Sequence, residues 1–224
     1  MITLHHLENS RSQRIAWLLE ELDVDYDVKV YERDPETILA PPELKQIHPL
    51  GKSPVITDGD ITVAESGAII EYLLDTYDDD TLRPAAGTAE RRDFTFWLHY
   101  AEGSFMPLML LAIVLNRIES APMPFFARPV AKGIVQKVRG GFLDPNTGRH
   151  LDFIQQTLES SPWFAGERFT AADIQMSYCV EAAAKRADLG NKYQKMAEFL
   201  ARIRERDAYR RAESRVGSFD LPGA

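Results

Sequence analysis

The first eighty residues alternate between two spacings of apolar positions. Residues 2–7 (ITLHHL) and 25–31 (DYDVKVY) have the two-residue period of strands, with Tyr26, Val28 and Val30 on one face. Residues 54–57 (PVIT) and 61–65 (ITVAE) are two more short strand patterns, joined by a DGD turn that favours a hairpin. Between and after them, two segments have helical spacing: Ile15, Leu18, Leu19, Leu22, and Ile70, Leu73, Leu74, Tyr77. With a short helix in residues 32–52, the pattern predicts the order β-α-β-α-β-β-α.

The pattern changes near residue 80. Strand signals end, and helices are predicted at about 88–118, 128–159, 170–187 and 192–206. We therefore place a linker at 79–87, a mixed α/β domain at 1–79 and an all-helical domain at 87–224. Within the second domain, Thr170 and Asp173 have the spacing of a capping box at a helix start.

Composition narrows the class of protein. The chain of 224 residues has 34 acidic and 26 basic residues, a net charge of −8 that argues against a nucleic-acid surface or an anionic membrane partner. Cys179 is the single cysteine, so neither an intrachain disulfide nor a cysteine metal site is expected. The first twenty residues lack the apolar run of a secretory signal. These features predict a cytoplasmic globular protein.

The start of the first helix carries more polar groups than a helix end requires. Residues 9–14 read NSRSQR, although one capping side chain would satisfy the free N–H groups. The extra hydroxyl, amide and guanidinium groups are therefore more than capping needs, which marks this segment as a candidate site.

Two later segments suggest where a ligand lies. In HPLGKSPVI (48–56), a cis Ser53–Pro54 bond would turn the backbone of Ser53 outward to pair with an extended peptide, although a simple turn proline is the alternative. In AESGAII (64–70), Glu65 could bind an ammonium group, while Ser66 and the helix N-terminus could bind a carboxylate. Together they suit the head group of an amino acid.

These segments, with SRSQRIAWLLEEL (10–22) and WFAGERFTAADI (163–174), resemble the glutathione transferase superfamily, in particular bacterial and fungal enzymes whose first helix begins with Ser-Arg. The resemblance covers essentially the whole chain. It implies a thioredoxin-like N-terminal domain with a mixed four-stranded sheet, followed by an all-helical C-terminal domain. It also implies glutathione as co-substrate, a small hydrophobic electrophile as second substrate, a role in detoxification and a homodimer.

By motif position, the resemblance gives each candidate residue a role. Glu65 and Ser66 would bind the γ-glutamyl end, Ser53 the cysteinyl unit and Lys52 the glycyl carboxylate. Ser10 would stabilise the thiolate, with Ser12 as the alternative and Asn9 or Arg11 as possible contributors.

Other assignments follow from the residues themselves. His5 and His6 are strand neighbours that face opposite sides, so a shared metal ion is not expected. Cys179 is expected in the core rather than in redox chemistry. The second substrate would contact Trp97, Tyr100, Phe105 or Met106, unless these side chains belong to the core.

Two rival functions stay open. One is a glutathione-dependent peroxidase or disulfide reductase, and the other is a non-catalytic binding module of the same fold.

Overall fold

The N-terminal part of the chain forms a four-stranded mixed sheet. The computed structural model describes residues 1–185 and 189–218. The strands, in the spatial order β2-β1-β3-β4, are β1 (Ile2–Leu7), β2 (Tyr26–Tyr31), β3 (Val55–Asp58) and β4 (Ile61–Ala64). β1 pairs parallel with β2 and antiparallel with β3, and β3 and β4 form the expected hairpin. This sheet confirms the predicted fold class.

Three helices accompany the sheet: α1 (Ser12–Glu21), α2 (Leu44–Ile47) and α3 (Ser66–Tyr77). The stripe predicted for α1 is the core face, because Ile15, Leu18 and Leu19 are fully buried. The predicted order of the first seven elements is confirmed. The face predicted for β2 is only partly buried, since Tyr26 is 4% exposed but Val30 is 53% exposed.

The rest of the chain is helical. The helices are α4 (Ala89–Tyr100), α5 (Met106–Ser120), α6 (Arg128–Val138), α7 (Asp144–Ser160), α8 (Ala171–Ala184), α9 (Leu189–Lys192), α10 (Gln194–Arg204) and α11 (Asp207–Val216). The last residues of the helix predicted at 170–187 lie outside the described part of the chain.

Each of the two long predicted helices contains a wide π-helical turn. The first π-turn is Ala101–Phe105, between α4 and α5, and the second is Arg139–Leu143, between α6 and α7. Pro107 and Pro145 each lie at the second residue after a π-turn. Because proline has no N–H and its ring clashes with the carbonyl four residues earlier, the wider turn lets the helix continue past it.

Residues 89–120 are long and apolar enough to cross a membrane by length and composition alone. Half of the most apolar 18-residue stretch among them is buried inside the protein, as in the core helix of a globular domain. Periodicity did not predict α11, which packs against α1. There, Trp17 meets Tyr209 edge to face with ring centroids 5.1 Å apart.

The predicted capping box is present at α8. The carboxylate of Asp173 accepts hydrogen bonds from the backbone N–H groups of Phe164 and Thr170, both at 2.8 Å. This box secures the helix that packs against both α1 and α4.

Candidate active site

An open cleft lies where β3, α1, α3 and the first π-turn meet. Its volume is about 200 Å³. The lining residues are Arg11, His48, Leu50, Lys52, Ser53, Pro54, Ala64, Glu65, Ser66 and Glu102. The structure therefore brings the four predicted binding residues into one cleft, although they come from two separate segments.

The loop before β3 gives the cleft its first wall. Gly51 has a positive φ of 57°, and a Cβ there would lie 2.6 Å from Cγ of Lys45, so only glycine fits this turn. After it come Lys52 and Ser53, and the Ser53–Pro54 bond is cis. The hydroxyl of Ser53 donates to the carbonyl of His5 at 2.9 Å, which ties this wall to the central strand.

The start of α3 gives the second wall. Glu65 has φ 73° and ψ 127°, a conformation that costs a residue with a Cβ about 1–3 kcal/mol and is concentrated at functional sites. Ser66 follows at the first helical position and is 3% exposed. Its hydroxyl accepts a hydrogen bond from Nη2 of Arg14 at 3.2 Å.

A cluster of two arginines and one glutamate joins α1 to the first π-turn. Nη2 of Arg14 and Nε of Arg11 both bind the carboxylate of Glu102, Arg11 at 2.9 Å. Nη1 of Arg14 also donates to the carbonyl of Gln175 at 2.6 Å. Burial would raise the pKa of Glu102, but the charges and hydrogen bonds of Arg14 and Arg11 outweigh it and hold that pKa below its ordinary value.

The cluster leaves a surplus of positive charge at the amino end of α1. Two guanidinium groups face one carboxylate, and both lie over the ring of Tyr178, at 5.3 and 5.5 Å from its centroid. Arg14 is almost completely buried, so solvent screens its charge weakly. The surplus favours an anion in the adjoining cleft.

Ser10 and Ser12 lie in a buried chain of hydroxyl groups that ends at His6. The oxygens of Ser10 and Ser12 are 2.7 Å apart, and that of Ser12 is 2.8 Å from Nδ1 of His6. Burial lowers the pKa of His6 to about 4, against a backbone hydrogen bond to Val216 that raises it, so the ring is neutral at neutral pH.

The oxygen of Ser12 lies at the centre of this set of hydrogen bonds. Nδ1 of His6 and the oxygen of Ser10 are both within hydrogen-bond distance of it, and the carbonyl oxygen of Leu7 is 3.5 Å away. Ser10 accepts from the N–H of Ser12 at 3.3 Å, and its own hydroxyl can donate to Ser12 or to Ser53, whose oxygen is 3.5 Å away.

The two serines are not equally close to the cleft. Neither belongs to its lining, but Ser10 is 7% exposed and adjoins Ser53, whereas Ser12 is fully buried. Ser10 therefore has the better access to the cleft.

Arg33 is a residue of this site that sequence analysis missed. Its guanidinium donates to the carbonyls of Glu8, Asn9 and Ile38 at 3.0–3.2 Å, and so fixes the loop that leads into α1. Asn9 within that loop has a positive φ of 51°. No sequence spacing links Arg33 to this loop, because they meet only through tertiary structure.

The residues suggested for the second substrate belong to the core instead. Trp97, Tyr100, Phe105 and Met106 are between 0% and 6% exposed. The rings of Trp97, Tyr100 and Phe105 pack against α7, where Trp97 stacks on Phe153 at 5.2 Å. The exposed large apolar side chains of α5 are instead Leu110, Val114 and Ile118, spaced one helical turn apart.

The remaining candidates have structural contacts. His5 and His6 point to different partners, since His5 binds the hydroxyl of Tyr31 at 3.0 Å while His6 binds Ser12. Cys179 is fully buried, and burial raises the pKa of its thiol to about 12. Among the described residues, no group of three potential ligands could hold a metal ion.

Comparison with known proteins identifies the family. The model for the glutathione S-transferase N-terminal domain matches residues 1–75, and that for the C-terminal domain matches residues 125–209. Glutathione S-transferase 3 of Schizosaccharomyces pombe is 38% identical over 96% of this chain and 88% of its own length. A disulfide-bond oxidoreductase of Escherichia coli is 26% identical over 93% of this chain and 92% of its own.

A solved structure agrees. The glutathione S-transferase of Actinobacillus pleuropneumoniae superposes with a TM-score of 0.83 at 34% identity, covering 99% of this chain and 95% of its own. The chain belongs to the glutathione S-transferase family.

Proposed function

We propose that this protein is a glutathione transferase that binds glutathione in the cleft and activates its thiol for attack on a hydrophobic electrophile. The observation that carries the proposal is the cleft itself. The cleft is lined by Glu65, whose backbone is strained, by the N-terminus of α3 and by Lys52. It adjoins the buried Ser10 and the cluster of Arg11, Arg14 and Glu102. The family membership supports glutathione as the ligand.

The chemistry of the walls orients glutathione in this proposal. Glu65 receives the γ-glutamyl ammonium, while Ser66 and the N-terminus of α3 receive the adjacent carboxylate. Ser53 pairs its backbone with the cysteinyl unit, and Lys52 approaches the glycyl carboxylate. This orientation brings the sulfur toward the amino end of α1, next to Ser10.

The groups at that end are sufficient to ionise the thiol. A free thiol has a pKa of about 8.5, and lowering it to about 6.5 needs roughly 2.7 kcal/mol of preferential stabilisation of the thiolate. A hydrogen bond from the hydroxyl of Ser10 to the charged sulfur contributes about 1.5–3 kcal/mol. The N-terminus of α1 adds about 0.3–1 kcal/mol. Ser10 therefore acts as a donor and never needs to ionise.

The electrophile would lie against α5. Leu110 and Val114 are 57% and 44% exposed, so they offer an apolar wall on the helix that follows the π-turn carrying Glu102. Holding both reactants there adds to the rate through proximity. A cytoplasmic location, a homodimer and a role in detoxification belong to the same proposal.

The test measures the pKa of bound glutathione by the ultraviolet absorbance of its thiolate. Ser10→Ala should raise this pKa by about one to two units and lower turnover at neutral pH, because the hydrogen bond to sulfur is lost. Ser177→Ala, which removes another buried serine hydroxyl, is the matched control and should leave the pKa unchanged. If glutathione still binds to Ser10→Ala and the pKa of its thiol is unchanged, another group must stabilise the thiolate.

Disulfide reduction is a second candidate, favoured by the similarity to the disulfide-bond oxidoreductase of Escherichia coli. No cysteine lies at the cleft of this chain, since Cys179 is buried elsewhere, so glutathione would supply both reacting thiols. Turnover of hydroxyethyl disulfide or a hydroperoxide, without conjugation of a chlorinated aromatic acceptor, would favour this candidate. If glutathione neither binds nor reacts, the protein is a binding module.

A further inference from the structure

One helical hairpin exposes an unusual concentration of large apolar side chains. α5 and α6 pack against each other, and the loop of residues 121–127 joins them. We define the hairpin tip as Ile118, Phe125, Phe126, Val130 and Ile134. Phe125 is 83% exposed and Phe126 is 70% exposed, and the other three are 43–63% exposed.

These side chains are not held by the core. The rings of Phe125 and Phe126 contact each other edge to face at 5.7 Å. Pro122 and Pro124 precede them in a loop without helix or strand. Isolated exposed apolar residues are ordinary, but a concentration of this size marks a surface that contacts another apolar phase.

The hairpin also has the opposite charge to the rest of the protein. Residues 106–143 contain five basic residues and one acidic residue, whereas the chain has a net charge of −8. The basic residues are Arg117, Arg128, Lys132, Lys137 and Arg139. Within the described residues, no ion pair joins Arg128 or Lys132 to a carboxylate, so both remain available to an external anion.

We propose that the hairpin tip docks on an anionic lipid surface, with Phe125 and Phe126 entering the interface and Arg128 and Lys132 binding headgroups. Aromatic side chains beside basic ones are the chemistry of proteins that bind a membrane surface without crossing it. The proposal departs from the expectation drawn from the net charge. At physiological ionic strength charges are screened beyond about 8 Å, so the local charge of the tip decides the interaction.

Charge complementarity favours lipid over a second copy of the chain. In a two-fold symmetric dimer through this surface, the cationic tips would face each other. An anionic bilayer offers both an opposite charge and an apolar interior. A nucleic acid would match the charge but would leave the aliphatic side chains Val130 and Ile134 in water.

The test is flotation of the full chain with vesicles of phosphatidylcholine, with and without one-third phosphatidylglycerol. We expect binding to the anionic vesicles only, weakening as salt is raised. A Phe126→Trp variant should shift its emission to the blue on binding, because the native tryptophans lie elsewhere, at positions 17, 97 and 163.

Two pairs of variants locate the contact. Phe125→Ser should lower the vesicle partition coefficient about tenfold, whereas Leu39→Ser, at a 65% exposed leucine of the N-terminal domain, should not change it. Arg128→Glu should lower it at least about fivefold, whereas Arg92→Glu, another exposed arginine in the first turns of its helix, should not.

Several outcomes would overturn the proposal. They are absence of binding, equal binding to neutral vesicles, and equal losses in the control variants. A change in oligomeric state on Phe125→Ser, without lipid binding by the parent chain, would instead make the tip a contact between copies. Glutathione turnover with a soluble acceptor is measured separately, so failure of lipid binding does not affect the proposed transferase activity.

Discussion

Replacing Glu102 with glutamine tests the cationic cluster beneath the cleft. The variant keeps the size of the side chain and one acceptor oxygen but removes the only negative charge that faces Arg11 and Arg14 in the cluster. Arg14 has a side-chain exposure of 1%, so its charge cannot be compensated by water.

The expected decrease in the free energy of unfolding follows from the burial of Arg14. Removing one partner of a buried ion pair costs about 3–5 kcal/mol. A smaller loss of about 2–4 kcal/mol is expected here, because Arg14 keeps its bonds to Ser66 and Gln175 and the amide oxygen still accepts. For a chain of this length, each kcal/mol shifts Tm by about 2–4 °C, so Tm should fall by about 4–16 °C.

The assay is urea unfolding of the parent and the variant, with Asp75→Asn as the matched control. Asp75 pairs with Arg83 but is 65% exposed, and its loss should cost less than about 1 kcal/mol. If Glu102→Gln lowers the free energy of unfolding no more than Asp75→Asn does, the ion pairs of Glu102 do not stabilise the fold as a buried interaction would.

The pH dependence gives an independent check on the same variant. Since the pKa of Glu102 is lower in the folded protein than its ordinary value of 4.5, the ionised form stabilises the fold. The stability difference between parent and variant should be complete above about pH 4.5 and should shrink as the pH falls through the lowered pKa. A difference that grows on acidification would contradict this sign.

Three further variants or reagents test other parts of the structure. Glu65→Gln should raise the Kd of glutathione, measured by calorimetry, by about 10- to 100-fold, since a charge-assisted hydrogen bond is lost. An unchanged Kd would show that Glu65 does not bind the ammonium group. Asp173→Ala should lower the free energy of unfolding in urea by about 2–5 kcal/mol, because the buried N–H groups of Phe164 and Thr170 lose their acceptor. A decrease below about 1 kcal/mol would show that these hydrogen bonds do not stabilise the start of α8. Cys179 should react with a thiol reagent only after unfolding, since its pKa is about 12 and its exposure zero, so equally fast labelling of the native protein would be inconsistent with its burial.

Local patterns predicted most of the first domain because each element carries its own signal. α1 and α3 have apolar stripes at helical spacing, and β3 and β4 are joined by a turn sequence with few alternative structures. Ser53, Glu65 and Ser66 were suggested by short motifs and Lys52 by the family resemblance, and the structure brings the four into one cleft, while their binding roles stay predictions. The alternating pattern of β2 did not predict how much of its apolar face is buried, because Val30 on that face is exposed.

The elements that were missed owe their structure to distant parts of the chain. α11 has an apolar stripe of Ala208, Tyr209 and Ala212, which is weak because alanine contributes little hydrophobic signal. Its position is set by ion pairs across the whole sequence, such as Arg206 with Glu21 at 2.6 Å and Arg211 with Glu20 at 2.7 Å. No window of sequence contains both members of either pair.

The same limit applies to the chemistry of the site. The family resemblance named Ser10 and Ser12, but only the structure shows that Ser12 is fully buried beside Nδ1 of His6, whereas Ser10 adjoins Ser53 of the cleft. It also shows that Glu102, some 90 residues away, restrains Arg11 and Arg14 at the amino end of α1. The proposed anion site at the first helix requires cations that are held in place without being neutralised. One carboxylate shared by two guanidiniums meets both requirements, because it fixes their positions while leaving one positive charge unbalanced beside the cleft.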